Sequence, residues 1–329
     1  MMRIIYLGSD AIGTDCLTEL GKGPHQLVGV VSQPDRPAGR GRRPKATRIK
    51  QLAQQLGVKT YALEDINAPE HLKEMAELEP DLLVTFAFNQ KLGKDLLELA
   101  PQGAINVHPS LLPKYRGAAP VARAVLNGET ETGLSIIKMS EGLDAGDILA
   151  QQRLAISPRE TASDLEQRLG KLAAPLLAKL LDEIENGTAK SCPQDHSQAT
   201  RAPKIKKAEA LMDCSLSAKE LVNHIRAFTP WPGAFAFFYG HARPDPERVV
   251  ITRALAEQSD SDPGRPHRRQ PDGAAIEPGT VLEDLSIKCS QGVVRIERIK
   301  PAGGKEMSWQ DFVNGRRVQP GDRMTDHER

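Results

Sequence analysis

An alternation of short apolar runs with helical patterns constrains the fold of this chain most strongly. Runs rich in β-branched residues occupy residues 3–9 and 26–33, and a helical pattern at residues 12–20 lies between them. The alternation continues with strand-like runs at 81–88, 103–108 and 132–139 and helical patterns at 69–79 and 118–126. Strands that alternate with helices form parallel sheets covered by helices. The sequence therefore predicts an α/β domain with a parallel-rich sheet.

The pattern changes near residue 186. A long amphipathic pattern at 161–185 ends before Gly187, and residues 186–207 are polar and lack an apolar period. One helical pattern follows at 217–228, and then come strand-like runs at 233–239, 248–253, 279–282, 286–288 and 293–299. Short strands joined by Gly and Pro turns are typical of a small β-barrel. We predict an α/β domain at 1–189, a linker at 190–207, a barrel domain at 208–318 and a tail at 319–329.

Several classes of protein are excluded by the sequence. Its N-terminal segment is too short and too polar for a signal peptide, and no apolar run approaches the ~18 residues of a membrane span. The cysteines are widely separated and lack the spacing of zinc ligands: Cys16, Cys192, Cys214 and Cys289. We therefore expect a cytoplasmic protein without a disulfide framework or a metal.

Positive charge is local rather than general. The chain carries a net charge of only +1, yet residues 34–50 hold seven basic residues against the single acid Asp35. These are Arg36, Arg40, Arg42, Arg43, Lys45, Arg48 and Lys50. A second group in the predicted linker contains Arg201, Lys204, Lys206 and Lys207. Such clusters indicate binding to a polyanion, although charged runs are also common on solvated surfaces.

Polar residues at two strand ends are candidates for chemistry. Asn106 and His108 alternate along one predicted strand, so their side chains share a face. Asp144 lies in a glycine-flanked turn after the next predicted strand and could pair with the imidazole of His108 as an acid–base couple. Histidines and turn aspartates are also common structural residues, so the pair alone does not identify a reaction.

Other catalytic signatures do not fit. The segment after the first strand, residues 8–13, has neither the Lys-Ser/Thr of a phosphate loop nor the G-x-G-x-x-G of dinucleotide binders. The sequence also has no G-x-S-x-G elbow and no H-E-x-x-H motif. Direct acyl transfer between two bound substrates remains compatible with the candidate residues.

The motif NVHPSLLPKYRG at 106–117, with LDAGD starting at Leu143, resembles the folate-dependent formyltransferases. The likeness to the branch of that family that acts on methionyl-tRNA extends to QPDRPAGRGRRPK at 33–45, SLSAKELVNHIRAFTPWPGA at 215–234 and IKPAGGKEM at 299–307. By this resemblance, small-molecule relatives such as glycinamide ribonucleotide formyltransferase or formyltetrahydrofolate deformylase share the SLLP region but are expected to lack this C-terminal half. The resemblance implies a Rossmann-like formyltransferase domain followed by an OB-like barrel that helps to hold tRNA.

The resemblance also implies substrates and residue roles. It implies 10-formyltetrahydrofolate as formyl donor, initiator methionyl-tRNA as acceptor, no metal, and Asn106, His108 and Asp144 as catalytic residues. The folate site it implies consists of Ser110, Leu111, Leu112 and Pro113. The tRNA contacts it implies are Arg40, Arg42, Arg43 and Lys45, together with Lys206 and Lys207 of the linker. We expect the protein to act as a monomer.

Two alternatives remain open at this point. A different formyl acceptor, such as an amino-sugar nucleotide, could place its pyrophosphate against the basic loop. A non-catalytic RNA-binding protein built on an enzyme scaffold would keep Arg40–Lys45 but tolerate the loss of His108. Strong salt dependence is expected of a protein that binds tRNA phosphates.

Overall fold

A computed structural model describes residues 1–38, 43–257 and 276–327 of the chain. They divide into two compact units, each built from stretches that are separate in the sequence. The first unit comprises Met1–Pro120, Glu131–Ala155 and Leu165–Lys204, and the second comprises Val121–Thr130, Ile156–Asp164 and the described part of Ile205–Arg329. A polar stretch of the sequence at 258–273, which has almost no apolar residue, lies outside the described residues.

The first unit contains a seven-stranded sheet and a separate two-stranded hairpin. Its strands are β1 (Arg3–Gly8), β2 (Gln26–Ser32), β3 (Arg36–Ala38), β4 (Arg43–Lys45), β5 (Thr60–Ala62), β6 (Leu82–Phe86), β7 (Ala104–His108), β8 (Glu131–Lys138) and β9 (Ile148–Ala155). The α-helices of the described residues are α1 (Thr14–Lys22), α2 (Arg48–Gln55), α3 (Pro69–Ala76), α4 (Lys94–Leu97), α5 (Pro120–Leu126), α6 (Ala162–Glu185), α7 (Ala218–Ala227) and α8 (Trp309–Arg316).

Strand direction in the large sheet is mixed. Its order is β5-β2-β1-β6-β7-β8-β9, and the first five strands of this order are parallel, as the alternation of strands and helices predicts. Strands β8 and β9 are antiparallel to their neighbours. The parallel-rich α/β prediction is therefore confirmed, whereas the expectation that the 132–139 run continues the parallel sheet is wrong. An apolar run has the same pattern in either direction.

The second unit is an antiparallel barrel with helix α7 packed on it. Its strands are β10 (Phe235–Gly240), β11 (Arg243–Glu257), β12 (Ile287–Lys288), β13 (Val293–Pro301), β14 (Met307–Ser308) and β15 (Arg323–Thr325). The sheet order is β12-β13-β11-β10-β15. Residues Thr280 and Val281 form isolated bridges to β15 and β12, the two ends of this order, so the barrel is nearly closed. The predicted strand at 279–282 is thus reduced to these two bridges.

Local sequence signals explain where the helices of the barrel unit begin. Ser217 accepts a hydrogen bond from the Glu220 N–H, and the Glu220 carboxylate accepts one from the Ser217 N–H. This reciprocal pair satisfies backbone donors that the first turn of α7 leaves free. Ser308 caps α8 because its hydroxyl oxygen accepts a hydrogen bond from the Asp311 N–H. Buried apolar side chains from helices and strands, including Leu221, Ile251 and Phe312, form the core of this unit.

In the first unit, α6 packs closely on the turn that follows β1. A Cβ atom added at Gly170 would lie 2.7 Å from the Ile12 carbonyl oxygen, so the contact requires glycine.

Glu166, one turn earlier on α6, is largely buried. That burial, and to a smaller extent repulsion from Asp10, raises the pKa of the Glu166 carboxyl to about 7.

Of the described helices, none is long and apolar enough to cross a membrane.

Candidate active site

The structure brings the three predicted catalytic side chains together in the first unit. Nδ1 of His108 lies 3.6 Å from Oδ2 of Asp144, and the two side chains are only 4% and 11% exposed. The Asn106 amide donates to Oδ1 of the same carboxylate at 3.3 Å. Asp144 therefore contacts both residues that β7 presents on one face, as their alternate spacing predicts.

Asp144 reaches this face by a different path from the one that a β8 parallel to β7 would give it. Because β8 is antiparallel to β7, Lys138 pairs with Ile105, and the Met139 N–H donates to the Ala104 carbonyl. The turn at 139–147 thus starts beside the first residue of β7, at the opposite end from His108. It must fold back along the face of the sheet to place Asp144 beside His108.

The other ring nitrogen of His108 is also held. Nε2 lies 2.9 Å from the Tyr115 carbonyl oxygen, which can only accept a hydrogen bond, so Nε2 carries the hydrogen in this contact. Nδ1 is then left facing Asp144, and a proton taken up there would point at the carboxylate. The Gly117 N–H donates to Oδ2 of Asp144 at 2.8 Å, which fixes the carboxylate from the other side.

Thr85 is a contributor that the sequence analysis missed. It pairs with Asn106 across β6 and β7, and its hydroxyl lies 2.8 Å from Oδ1 of Asn106. With Oδ1 accepting from Thr85, the Nδ2 group of Asn106 is turned towards Asp144, and one of its two hydrogens remains free for a ligand. A polar residue inside the apolar run of β6 was the signal that could have identified it.

The loop predicted to line the folate site is tightly bonded to β8. The Ser110 hydroxyl donates to the Lys114 carbonyl at 2.7 Å, and Ser135 donates to the Ser110 carbonyl at 2.8 Å. The Leu112 N–H donates to the Ser135 oxygen at 3.0 Å. Ser110 and Leu112 are buried, while Leu111 and Pro113 keep part of their apolar surface exposed. The geometry gives Ser110 a part in shaping the loop and leaves Leu111 and Pro113 as its accessible apolar residues.

The predicted tRNA contacts are at the surface where they are described. Lys45 is exposed on the β3–β4 hairpin, in which Arg36 pairs with Lys45. Arg40 and Arg42 lie outside the described residues, and of Arg43 only the backbone, in β4, is described. Lys206 and Lys207 are exposed at a short 3₁₀ helix, Lys207–Ala210. Exposed cations of this kind keep their charge available to a polyanion.

No group of three or more His, Cys, Asp or Glu side chains within residues 1–38, 43–257 and 276–327 could hold a metal ion. The candidate catalytic groups in these parts of the chain are the carboxylate of Asp144, the imidazole of His108 and the amide of Asn106. Such a set can stabilise a developing oxyanion and move a proton.

Comparison with known proteins gives matches over both units. A family model described as formyl transferase matches residues 2–181, and a model described as formyl transferase, C-terminal domain, matches residues 204–317. The methionyl-tRNA formyltransferase of Desulfotalea psychrophila is 37% identical over 317 residues, which cover 96% of this chain and 94% of that relative. The methionyl-tRNA formyltransferase of Geobacter metallireducens is 35% identical over 323 residues, 98% of each chain.

A solved structure shares the fold at low identity. The N-formyltransferase from Helicobacter canadensis, crystallised with folinic acid and dTDP-3-aminofucose, superposes with a TM-score of 0.63 and 18% identity. The superposition covers 93% of this chain and all of that one. This likeness supports the two-part architecture and carries no argument about the acceptor.

Proposed function

Because the chain belongs to the methionyl-tRNA formyltransferase family, we propose that it transfers the formyl group of 10-formyltetrahydrofolate to the α-amino group of initiator methionyl-tRNA. The product is N-formylmethionyl-tRNA, which serves translation initiation. The observation that carries the proposal is the meeting of Asn106, His108 and Asp144 within a chain that matches both formyltransferase domains.

The proposed reaction begins when the neutral α-amine attacks the formyl carbon, and a C–N bond forms as the carbonyl oxygen becomes an oxyanion. The free Nδ2 hydrogen of Asn106 donates to that oxyanion, and a protonated His108, whose ring nitrogens face Tyr115 and Asp144, stabilises it through its positive charge. Each well-placed donor of this kind contributes about 3 kcal/mol to transition-state stabilisation. Thr85 supports the step because it fixes the orientation of the Asn106 amide.

The second half of the reaction requires a proton transfer. The attacking nitrogen becomes an ammonium, and its proton has to reach N10 of the folate before the C–N10 bond breaks and tetrahydrofolate leaves. Asp144 accepts the proton and, with His108 beside it at 3.6 Å, passes it on towards N10. Esterification of methionine to tRNA removes the carboxylate that makes the ammonium of free methionine more basic, which favours the aminoacyl ester as acceptor.

The remaining predicted roles complete the proposal. Leu111 and Pro113 supply apolar surface to the folate, in a loop that Ser110 and Leu112 anchor. The predicted tRNA contacts are Arg40, Arg42, Arg43, Lys45, Lys206 and Lys207, which bind phosphates and unpaired bases of the acceptor end. Residues 1–189 serve as catalytic domain, 190–207 as linker and 208–318 as tRNA-binding domain. The enzyme acts as a monomer in the cytoplasm.

Formyl transfer from 10-formyltetrahydrofolate, measured with wild type and His108→Ala, tests this function. Three acceptors are compared: initiator methionyl-tRNA, free methionine and a dTDP-linked amino sugar. We expect transfer to the tRNA only, with loss of roughly 10²- to 10⁴-fold in His108→Ala. Transfer to the amino sugar in place of the tRNA would replace the proposed acceptor. Tight tRNA binding without any transfer would leave only a binding function.

A further inference from the structure

Residues 192–202, within the stretch that the sequence predicts as a linker, bond directly to the loop after Ser110. The Tyr115 N–H donates to the Thr200 hydroxyl at 2.9 Å, and the Arg116 N–H donates to the Thr200 carbonyl at 2.9 Å. The Ala202 N–H donates back to the Arg116 carbonyl at 2.7 Å. Tyr115 supplies the carbonyl that holds His108, so this segment fixes a direct partner of the imidazole.

The same segment also bonds to the turn that carries Asp144. The side chain of Gln194 is buried, and its amide donates to the Asp144 carbonyl at 2.9 Å and to the Gly146 carbonyl at 2.6 Å. Its oxygen accepts from Nη2 of Arg116 at 2.6 Å. One side chain therefore joins the Asp144 turn to the loop that holds His108.

The Asp144 turn needs an external support of this kind. Asp144 has a φ of 49°, a left-handed conformation that is unfavourable for a residue with a side chain. The neighbouring Leu143 is 73% exposed, so its side chain does not anchor the turn in the core. Backbone carbonyls on both sides of Ala145 are instead held by the single Gln194 amide.

We propose that Gln194 is a positioning residue of the active site, which holds Asp144 at the distance from His108 that the reaction requires. The stretch predicted as a linker then contributes Gln194 to the catalytic unit and is not a passive connection. The kinetic consequence rests on the proposed function, because it assigns the proton transfer to Asp144. A displacement of about 1 Å at such a group costs roughly 100-fold in rate.

Two substitutions separate the donor role of Gln194 from its bulk. Gln194→Met keeps the length of the side chain and loses every hydrogen bond, so we expect kcat to fall about 10- to 100-fold with little change in KM. Gln194→Glu still accepts from Arg116 but, when ionised, cannot donate to the two carbonyls. A protonated carboxyl regains one donor, so the Gln194→Glu to Gln194→Met ratio of kcat should rise as the pH falls.

Gln198→Met is the matched control, since Gln198 lies in the same segment, is exposed and bonds to Asp195. We expect it to keep wild-type kcat. Equal kcat in Gln194→Met and Gln198→Met, or a pH-independent ratio between the two Gln194 variants, would overturn the proposal. A merely structural role would lower the melting temperature without a pH-dependent ratio.

A spectroscopic readout makes the test independent of turnover. The ¹⁵N signals of the His108 imidazole, assigned with His108→Gln, report the position of Asp144 beside the ring. We expect them to shift in Gln194→Met and to stay unchanged in Gln198→Met. Unchanged signals in Gln194→Met would refute the positioning role. If the signals shift in Gln194→Met while the wild type transfers no formyl group, the positioning role stands and the proposed function is rejected.

Discussion

Asp144 and Glu166 are both largely buried carboxylates of the first unit, yet their surroundings differ. Asp144 accepts hydrogen bonds from the Gly117 N–H and the Asn106 amide and faces His108. Glu166 accepts no hydrogen bond from the described residues, and burial together with the charge of Asp10 raises its pKa to about 7. Hydrogen-bond donors hold the Asp144 carboxylate in a defined position, whereas the Glu166 carboxyl, without donors, takes up a proton near neutral pH.

The largest expected effect is the loss of catalysis in Asp144→Asn. Asparagine tolerates the left-handed conformation and still accepts from Gly117, but it cannot take a proton from the amine. We expect kcat to fall roughly 10³-fold with a melting temperature close to that of wild type. Glu141→Gln, an exposed acid of the same turn, should keep its activity. Activity within tenfold of wild type in Asp144→Asn would remove Asp144 from the proton transfer.

Glu166→Gln should change stability instead of activity. The pKa of Glu166 is raised from 4.5 to about 7, so the folded protein binds this proton more tightly than the unfolded chain does. Its contribution to stability is therefore complete below pH ~4.5 and is lost as the pH rises to about 7. At pH 8 the substitution should raise the free energy of unfolding by on the order of 2–3 kcal/mol, or the melting temperature by about 5 °C.

Melting temperatures from pH 5 to pH 8 check this prediction. The gain in Glu166→Gln should grow with pH and level off above pH ~7, while kcat stays at the wild-type value. Glu70→Gln, an exposed acid on α3, should show no such trend. A gain that is the same at pH 5 and pH 8 would contradict the proton uptake at Glu166.

Thr85→Val tests whether hydrogen-bond partners one step from Asp144 also matter. Valine keeps the shape of threonine in β6 but no longer fixes the Asn106 amide. A lost hydrogen bond of about 1 kcal/mol corresponds to a kcat that is roughly five- to tenfold lower. Thr132→Val, in a buried position on β8, is the matched control. Equal kcat in the two variants would show that Asn106 is oriented without Thr85.

The smallest effect is expected from exposed charges that have no fixed geometry. Lys206→Ala combined with Lys207→Ala should raise KM for methionyl-tRNA about threefold and leave kcat unchanged. Each lost phosphate contact should also make the slope of log affinity against log salt less steep by about 1. Lys73→Ala with Lys171→Ala, two exposed lysines of α3 and α6, is the control. An unchanged salt slope would exclude Lys206 and Lys207 from the tRNA contact.

The sequence predicted the elements that bury apolar surface and missed those that do not. Strands such as β1, β6 and β7 are almost fully buried, so their apolar runs identify them directly. Strand β9 was missed because its residues are mostly exposed or half-buried and include Gln151, Gln152 and Arg153.

For the candidate site, the residues of the chemistry could be predicted but their supports could not. Asn106, His108 and Asp144 stand in a recognisable motif, and their meeting in space follows from the order β7-β8-β9. Thr85 bonds to Asn106 across 21 residues of sequence, and Gln194 bonds to Asp144 across 50. Pairing over such separations depends on strand order and direction, which apolar periodicity does not encode.

Because the 139–147 turn runs back along the sheet, its length determines whether Asp144 can reach His108. From Met139, beside Ala104, the chain has five steps to return along a distance that β7 covers between Ala104 and His108, about 13 Å at 3.3 Å per residue. Removing one residue would leave four steps, which cover about 13 Å only in a fully extended chain, so a shorter turn has no length left to bend. Loop redesign in this enzyme can therefore vary the composition of the turn, as at exposed Leu143, but should not shorten it.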